Sequence, residues 1–174
     1  MNTIIIISIS IIIVICLLVS ITTNYWLYGQ MMFGTTTEHE YIGLWNRCLH
    51  TNDGIKCVNT SDLGKIKNLQ LIRFFSSGSL ILMITSLFFI KNKFYSVLCI
   101  GLSGIFSLLS CIFWRIDPAI KYALDKEIQI ENKDISKIGY SFYMGIIAGI
   151  VAIILSILVQ FKLHTITTIN YTEL

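Results

Sequence analysis

Two cysteines in a polar segment between apolar stretches are the residues best placed to do chemistry. Cys48 and Cys57 flank Asn52-Asp53-Gly54, which has the composition of a hairpin turn, with Gly54 suited to a positive φ. A hairpin there places the two sulfurs on facing strands within bonding reach. The pattern therefore predicts a disulfide, which would stabilise a small sheet by very roughly 2–3 kcal/mol.

Two free thiols or a metal site are the alternatives for this pair. The spacing matches no common zinc pattern, and His39 and His50 lack a second pair of cysteines. Glu38, His39 and Glu40 could tune cations at the mouth of a pore, and a solvated loop explains them equally well. The remaining cysteines fall in apolar stretches and are expected to be inert packing residues (Cys16, Cys99, Cys111).

Enzyme chemistry is not expected. The chain shows no Ser/His/Asp set, phosphate-binding loop or cluster of metal ligands, so we predict no catalytic residue, metal or cofactor. Of its 174 residues, 55% are hydrophobic and 13% charged, with a mean hydropathy of +0.74. A soluble domain of this size could not bury so much apolar surface, so the lipid bilayer is the expected partner. The net charge of +3 forms no basic stripe, which argues against nucleic acid.

Four apolar stretches are each long enough to cross a bilayer, which takes about 20 residues of helix. In lipid, the backbone groups must be satisfied within each segment, so all four are predicted to be helices despite their isoleucine content. We expect a single tetraspan domain over 1–174, mainly α, with a four-helix bundle and a small antiparallel sheet in the first loop. The predicted spans are Thr3–Thr23, Leu71–Ile90, Phe94–Trp114 and Ile138–Phe161.

Four crossings place both ends of the chain on the same side of the membrane. Counts of lysine and arginine alone would put loops 24–70 and 115–137 in the cytoplasm. A disulfide, however, needs an oxidising compartment, and Asn59-Thr60-Ser61 is a glycosylation sequon that is useful only in a lumenal loop. We therefore predict a multi-pass plasma-membrane protein with extracellular loops and both termini, including tail 162–174, in the cytoplasm.

Both loops are predicted to contain regular structure. In the first, Asn24–Tyr28 and Tyr41–Trp45 are aromatic-rich, as strands are. In the second, Asp117 and Pro118 are typical of an N-cap and a first helical position. Apolar residues follow at helical spacing, which predicts a short amphipathic helix that packs on the sheet or docks a partner (Ile120, Ala123, Leu124, Ile128).

Small residues provide faces for close helix packing. Gly145 and Gly149 form a GxxxG pattern in the fourth span. We expect it to serve packing within the bundle rather than dimerisation. Further small residues of the third and fourth spans extend these faces (Gly101, Ser103, Gly104, Ser107, Ala148, Ala152, Ser156).

Six residues after the first span form a W…GLW…C…C pattern: Trp26, Gly43, Leu44, Trp45, Cys48 and Cys57. This pattern resembles the signature of the claudin and peripheral-myelin-protein superfamily. The segment Leu69–Arg73 resembles the start of the second span in claudins and gamma subunits. Three short stretches are most similar to voltage-dependent calcium-channel gamma subunits: Thr23–Tyr28, Asp117-Pro118 and Gly139–Gly145.

The resemblance implies a four-helix bundle beneath a small extracellular sheet, with Trp45 and the disulfide as structural anchors and no catalysis. Gamma subunits bind the pore subunit of a channel or receptor and change its gating or trafficking, whereas claudins polymerise with claudin neighbours and line paracellular pores. The first loop is shorter than in gamma subunits. The length of the chain is closer to that of epithelial membrane and lens-fibre proteins. We therefore expect an auxiliary subunit of a cation channel or receptor, with a cell-junction or membrane-organising protein as the alternative.

Several residues have two interpretations. Trp26 and Trp45 could mark a partner surface, but anchoring in the headgroup belt or packing beneath the sheet is the more common use. Arg73 near the outer end of the second span can snorkel or bond to carbonyls of the sheet, and a charge on a transport pathway is the alternative. The C-terminal residues Thr172-Glu173-Leu174 fit the pattern that a PDZ scaffold binds by strand addition. A chance occurrence of this pattern is the alternative.

Overall fold

Four long apolar helices form the body of the chain. The computed structural model describes residues 3–33, 36–51, 54–60, 68–118, 120 and 135–172. Within those residues, four helices are long and apolar enough to cross a membrane, so the prediction of a tetraspan membrane protein is confirmed. They are α1 (Thr3–Thr22), α2 (Leu69–Phe88), α3 (Lys93–Ile116) and α4 (Tyr140–Thr172).

The fourth helix begins later and ends later than predicted. Ile138, the expected first residue of that span, lies in a strand, and α4 begins at Tyr140. Between them Gly139 passes so close to Tyr25 that a Cβ atom would collide with the Tyr25 carbonyl oxygen. At its other end α4 continues to Thr172, because residues 162–172 include no glycine or proline that would stop a helix. Most of the expected tail is therefore helical.

An antiparallel sheet of five strands covers one end of the bundle. The aromatic segments predicted as strands, Asn24–Tyr28 and Tyr41–Trp45, supply only the beginning of β1 and the end of β2. The residues between those segments form most of the first hairpin. The strands are β1 (Leu27–Phe33), β2 (Thr36–Ile42), β3 (Asn46–Thr51), β4 (Gly54–Asn59) and β5 (Ile135–Ile138), in the spatial order β4-β3-β2-β1-β5.

The last strand comes from the second loop, where we predicted a helix. Leu27 of β1 pairs with Ile138, and Gln30 pairs with Ile135, so β5 closes the sheet beside β1. The Gly139 N–H then donates to the Trp26 carbonyl oxygen at 3.0 Å, which carries the pairing to the start of α4. Of the predicted amphipathic helix, only 118 and 120 are described as helical, and Ala123, Leu124 and Ile128 lie outside the described residues.

Two apolar clusters hold these elements together. The first fills the centre of the bundle with side chains from all four helices (Ile13, Leu17, Met83, Val97, Ile100, Ala148, Ala152, Leu155, Val159). The second, called here the junction cluster, lies where the sheet meets the helices (Trp26, Leu27, Leu44, Leu69, Ile72, Cys111, Trp114, Ile120, Phe142). Because the junction cluster takes side chains from the sheet, the second loop and the helices, it fixes the sheet on the bundle.

Candidate functional site

Trp26 lies at the junction between α1 and the sheet. Its side chain is 1% exposed, and its indole Nε1 donates to the Ser20 carbonyl oxygen at 2.5 Å. The ring contacts Trp114 of α3 and Phe142 of α4 edge-on, with centroids 5.2 and 5.9 Å apart. Trp26 therefore joins three helices where the sheet begins, and it is too deeply buried to serve as a partner surface.

Gly43, Leu44 and Trp45 form the loop between β2 and β3, and each residue has a different environment. A Cβ atom on Gly43 would lie 2.6 Å from the Asn24 Cα, so only glycine lets the loop reach the end of α1. Leu44 is fully buried in the junction cluster. Trp45 is 39% exposed, so its ring does not pack beneath the sheet but lies at the surface.

Arg73 ties α2 to this loop. Its Nε donates to the Leu44 carbonyl oxygen at 2.8 Å, and a terminal nitrogen reaches Asn59 Oδ1 at 3.4 Å. The guanidinium carbon lies 4.8 Å from the centre of the Trp45 ring, which is a cation–π contact. The charge of Arg73 is thus satisfied by the loop above α2, and this geometry favours the structural interpretation over a transport pathway.

The two cysteines lie across the hairpin of β3 and β4. Cys48 and Cys57 are direct partners in the antiparallel register, with Cα atoms 4.1 Å apart and sulfurs bonded. Gly54 at the turn has a φ of 129°, the positive value predicted for it. Asn24 Nδ2 approaches Cys48 Sγ at 3.5 Å, which links the hairpin to the end of α1. Among the described residues, no three metal-ligating side chains come together, so the pair is a disulfide and not a metal site.

The segment Glu38–Glu40, considered either a solvated loop or a cation-tuning site, lies in the strand β2. The neighbouring strands β1 and β3 pair with it on both sides. Glu40 is buried and forms an ion pair with Arg47 of β3. His39 Nδ1 lies 2.7 Å from the Tyr28 hydroxyl. Since both side chains have partners inside the sheet, neither is free to tune passing cations; the Glu38 side chain lies outside the described part.

Asp117 connects the end of α3 to the start of α2. The residue is fully buried, and its Oδ2 accepts the backbone N–H of Asn68, the N-cap residue of α2, at 3.1 Å. A carboxylate at a helix N-terminus is stabilised by the unpaired N–H groups there. The carboxylate of Asp117, predicted to cap the helix that follows it, therefore bonds at the N-terminus of α2, which is distant in sequence.

Buried serines hydrogen-bond the helices to one another. The hydroxyls of Ser76 in α2 and Ser110 in α3 are 2.5 Å apart, and Ser103 of α3 donates to the Ser79 carbonyl oxygen at 2.8 Å. Sequence analysis treated serines only as small residues and missed this role, although their spacing of three, four and seven residues along α3 marks one helical face. Similar bonds reach α4 (Ser107 to the Gly145 carbonyl, 2.7 Å; Ser20 to the Ser141 carbonyl, 2.8 Å).

The GxxxG pattern faces α3. A Cβ atom on Gly104 would lie 2.7 Å from the Gly149 carbonyl oxygen, so the two helix backbones are nearly in contact. Gly145 faces Ser20 and Cys111 in the same way, at 3.0 and 3.1 Å from the ideal Cβ position. These contacts lie within one chain, so Gly145 and Gly149 take part in packing within the bundle.

Four tyrosines, called here the tyrosine cluster, lie at the sheet end of the helices and were missed as a group. The Tyr25 ring contacts the rings of Tyr41 and Tyr140, with centroids 4.8 and 4.9 Å apart, and Tyr28 lies 5.3 Å from Tyr41. Burial raises the pKa of Tyr41, and the neighbouring phenols of Tyr25 and Tyr28 raise it further. Beside the cluster is an open pocket of about 310 Å³, lined by Asn24, Tyr25, Tyr41, Cys48, His50 and Ile55.

Some predicted sites fall at the margin of the described residues. Asn59 ends β4 with an exposed side chain, whereas Ser61 of its sequon lies outside the described part. Thr172 is the last residue of α4, and Glu173 and Leu174 are not among the described residues. Glycosylation and PDZ binding therefore remain predictions.

Comparison with known proteins is consistent with this architecture. No curated protein matches the chain. The family model described as the PMP-22/EMP/MP20/Claudin family matches residues 1–159, which is most of the sequence and includes the signature loop, the disulfide, the first three membrane-crossing segments and most of the fourth. The chain therefore belongs to the PMP-22/EMP/MP20/claudin family of tetraspan membrane proteins.

Proposed function

We propose that this protein is a non-enzymatic auxiliary subunit of a cation channel or receptor in the plasma membrane. The observation that supports this role is the closed centre of the bundle. Met83, Ile100 and Ala152 are each at most 1% exposed there, and serine hydroxyls bond to facing helices. A bundle filled in this way offers its sides and its sheet to a partner rather than a path to ions.

Two charged residues at the sheet end of the helices fit the same proposal. Arg73 is held by the Leu44 carbonyl and Trp45, and Asp117 accepts the N–H of Asn68. Arg73 stabilises the attachment of the sheet to the bundle, and Asp117 stabilises the packing of α2 beside α3. A rigid attachment lets a contact on the sheet act on the same body that contacts a partner within the membrane.

The sheet is proposed to be extracellular, with both termini in the cytoplasm. The disulfide between Cys48 and Cys57 needs an oxidising compartment, which supports this orientation. Lys91 and Lys93 lie at the opposite end of the helices, in the short loop that this orientation places in the cytoplasm.

The test is co-expression with candidate pore subunits. Calcium channels and glutamate receptors are the first choice, because local resemblance to calcium-channel gamma subunits motivated the proposal. A change in current amplitude or inactivation, with copurification of the pore subunit in mild detergent, is the expected result. Unchanged currents across both classes, without a copurifying channel, would refute the proposal.

A claudin-like junctional role is the second candidate, and the exposed edge of the sheet favours it. β4 is the outermost strand on its side, and its Ile55 and Val58 are 65% and 52% exposed. An edge strand with exposed apolar side chains can pair with a neighbouring chain. In cells without junction strands, expression should then produce strands at contacts, and Val58→Lys should abolish them. Localisation away from contacts would exclude this role.

A further inference from the structure

We propose that the pocket beside the tyrosine cluster binds the quaternary ammonium of a choline phospholipid in the leaflet on the sheet side. The pocket has about 310 Å³ of space, which accommodates a trimethylammonium group, and it opens to the surface. Tyr25 and Tyr41 form adjoining walls with ring planes inclined by 65°. Aromatic rings that line a pocket can bind quaternary ammonium ions because the ring faces carry negative electrostatic potential.

Further tyrosines extend the aromatic environment of the two walls. Tyr140 stacks on Tyr25 with centroids 4.9 Å apart, and Tyr28 lies 5.3 Å from Tyr41. Neither Tyr28 nor Tyr140 lines the pocket, so both hold the lining rings in place from elsewhere. These contacts fix the rings of Tyr25 and Tyr41 before a ligand binds, which reduces the conformational entropy lost on binding.

The chemistry of the lining selects a quaternary ion over a primary amine. None of the six lining residues is Asp or Glu, so an ammonium with N–H donors would find no carboxylate to pair with. A quaternary ammonium has no N–H group and needs no acceptor. Its weaker hydration also makes transfer from water to an aromatic pocket less costly than for a primary ammonium.

The height of the pocket identifies a lipid as the source. Tyr25 follows the end of α1 at Thr22, and Tyr140 is the first residue of α4, so both rings lie where the spans leave the hydrocarbon. Tyrosines are enriched at this level of a membrane. Lys137 of β5 is paired with Tyr28, which puts both side chains on one face of the sheet. The exposed ammonium of Lys137 is therefore available to the phosphate of the same headgroup.

The experiment uses the full chain in lipid nanodiscs made from equal amounts of phosphatidylcholine and phosphatidylethanolamine. Native mass spectrometry of the released protein counts the retained lipid, and magnetisation transfer from choline methyl protons to tyrosine ring protons locates it. We expect phosphatidylcholine to be retained preferentially. Tyr41→Leu should reduce that preference about fivefold, because one cation–π contact is lost, whereas Tyr41→Phe should keep it.

Two further variants distinguish loss of the pocket from loss of the fold. Ile55→Lys places a positive charge in the pocket from the exposed strand β4 without removing a tyrosine, and it should also lower retention. Tyr95→Leu removes an exposed tyrosine at the opposite end of the helices and is the matched control that should change nothing. An unchanged midpoint of thermal unfolding in each variant shows that the protein is folded.

Three outcomes would overturn the proposal. Equal retention of the two lipids would show that the tyrosines are ordinary interfacial residues. Soluble tetramethylammonium that binds as tightly as phosphatidylcholine would show that the source is not a lipid. Loss of a copurifying protein in Tyr41→Leu, with unchanged lipid retention, would assign the pocket to a protein partner.

Discussion

The guanidinium of Arg73 lies 4.8 Å from the ring of Trp45, so the second helix and the signature loop meet through a cation–π contact. The same side chain donates to the Leu44 carbonyl oxygen at 2.8 Å. A tryptophan that is 39% exposed is therefore engaged in holding an arginine against the loop. This relationship explains how an exposed aromatic residue can be part of the structural framework.

Arg73→Gln should lower the thermal stability of the purified protein. The variant loses a charge-assisted hydrogen bond and the contact with Trp45, a loss of about 1.5–3 kcal/mol. Arg73→Lys should fall in between, because an ammonium lacks the planar group that bonds and stacks together. Unfolding in detergent, followed by fluorescence, measures the effect. Arg115→Gln, at the exposed end of α3, is the control; equal stability of the two glutamine variants would contradict the prediction.

The disulfide can be tested by counting thiols. The chain has five cysteines, and the free ones are Cys16, Cys99 and Cys111. Alkylation after denaturation without reductant should therefore modify three sites, and reduction should expose all five. Cys57→Ser should destabilise the sheet by about 2–3 kcal/mol through the loss of the cross-link. Five modified sites without reductant would disprove the bond.

Gly104→Ala should weaken the packing of α3 against α4. The added Cβ atom would lie 2.7 Å from the Gly149 carbonyl oxygen, so the helices must move apart, at a cost of about 1–3 kcal/mol. Ile105→Ala alters the next residue, which is 47% exposed, and serves as the control. The midpoint of thermal unfolding compares the two. Similar midpoints would show that the close approach is not important for stability.

The bond between Ser76 and Ser110 should give a measurable coupling energy. Hydrogen bonds between membrane helices contribute about 0.6 kcal/mol on average, with values up to about 1.7 kcal/mol. A double-mutant cycle of Ser76→Ala and Ser110→Ala isolates that energy from other effects of each substitution. Thr85→Ala removes an exposed hydroxyl that bonds only within α2 and should show no coupling to Ser110. Additive effects in the first cycle would argue against the bond.

Much of the fold could be predicted because its signals are local. The four helices follow from the length of apolar stretches, and the hairpin of β3 and β4 follows from Asn52-Asp53-Gly54 between the cysteines. The short strand β5 carries no such signal. Residues 135–138 read Ile-Ser-Lys-Ile beside an apolar span, and only the pairing with β1 makes them a strand.

The contacts at the candidate sites depend on distant parts of the chain, and that is why sequence analysis found few of them. Nothing near Asp117 indicates that it accepts the N–H of Asn68. The tyrosine cluster likewise combines Tyr25 and Tyr41 from the first loop with Tyr140 from the last helix. By contrast, family resemblance identified Trp26, Gly43 and Leu44 as a group, and packing explains the identity of each.

The pairing of β1 with β5 sets an order for biogenesis. β1 is synthesised directly after α1, but its partner follows only once α2 and α3 have been made. The Gly139 N–H joins this pairing to the start of α4, so the sheet is completed only when the last helix has been made. A chain that fails at that step leaves one border of β1 unpaired and open to chaperones. The pairing of β1 with β5 thus reports whether the last helix has been packed into the bundle.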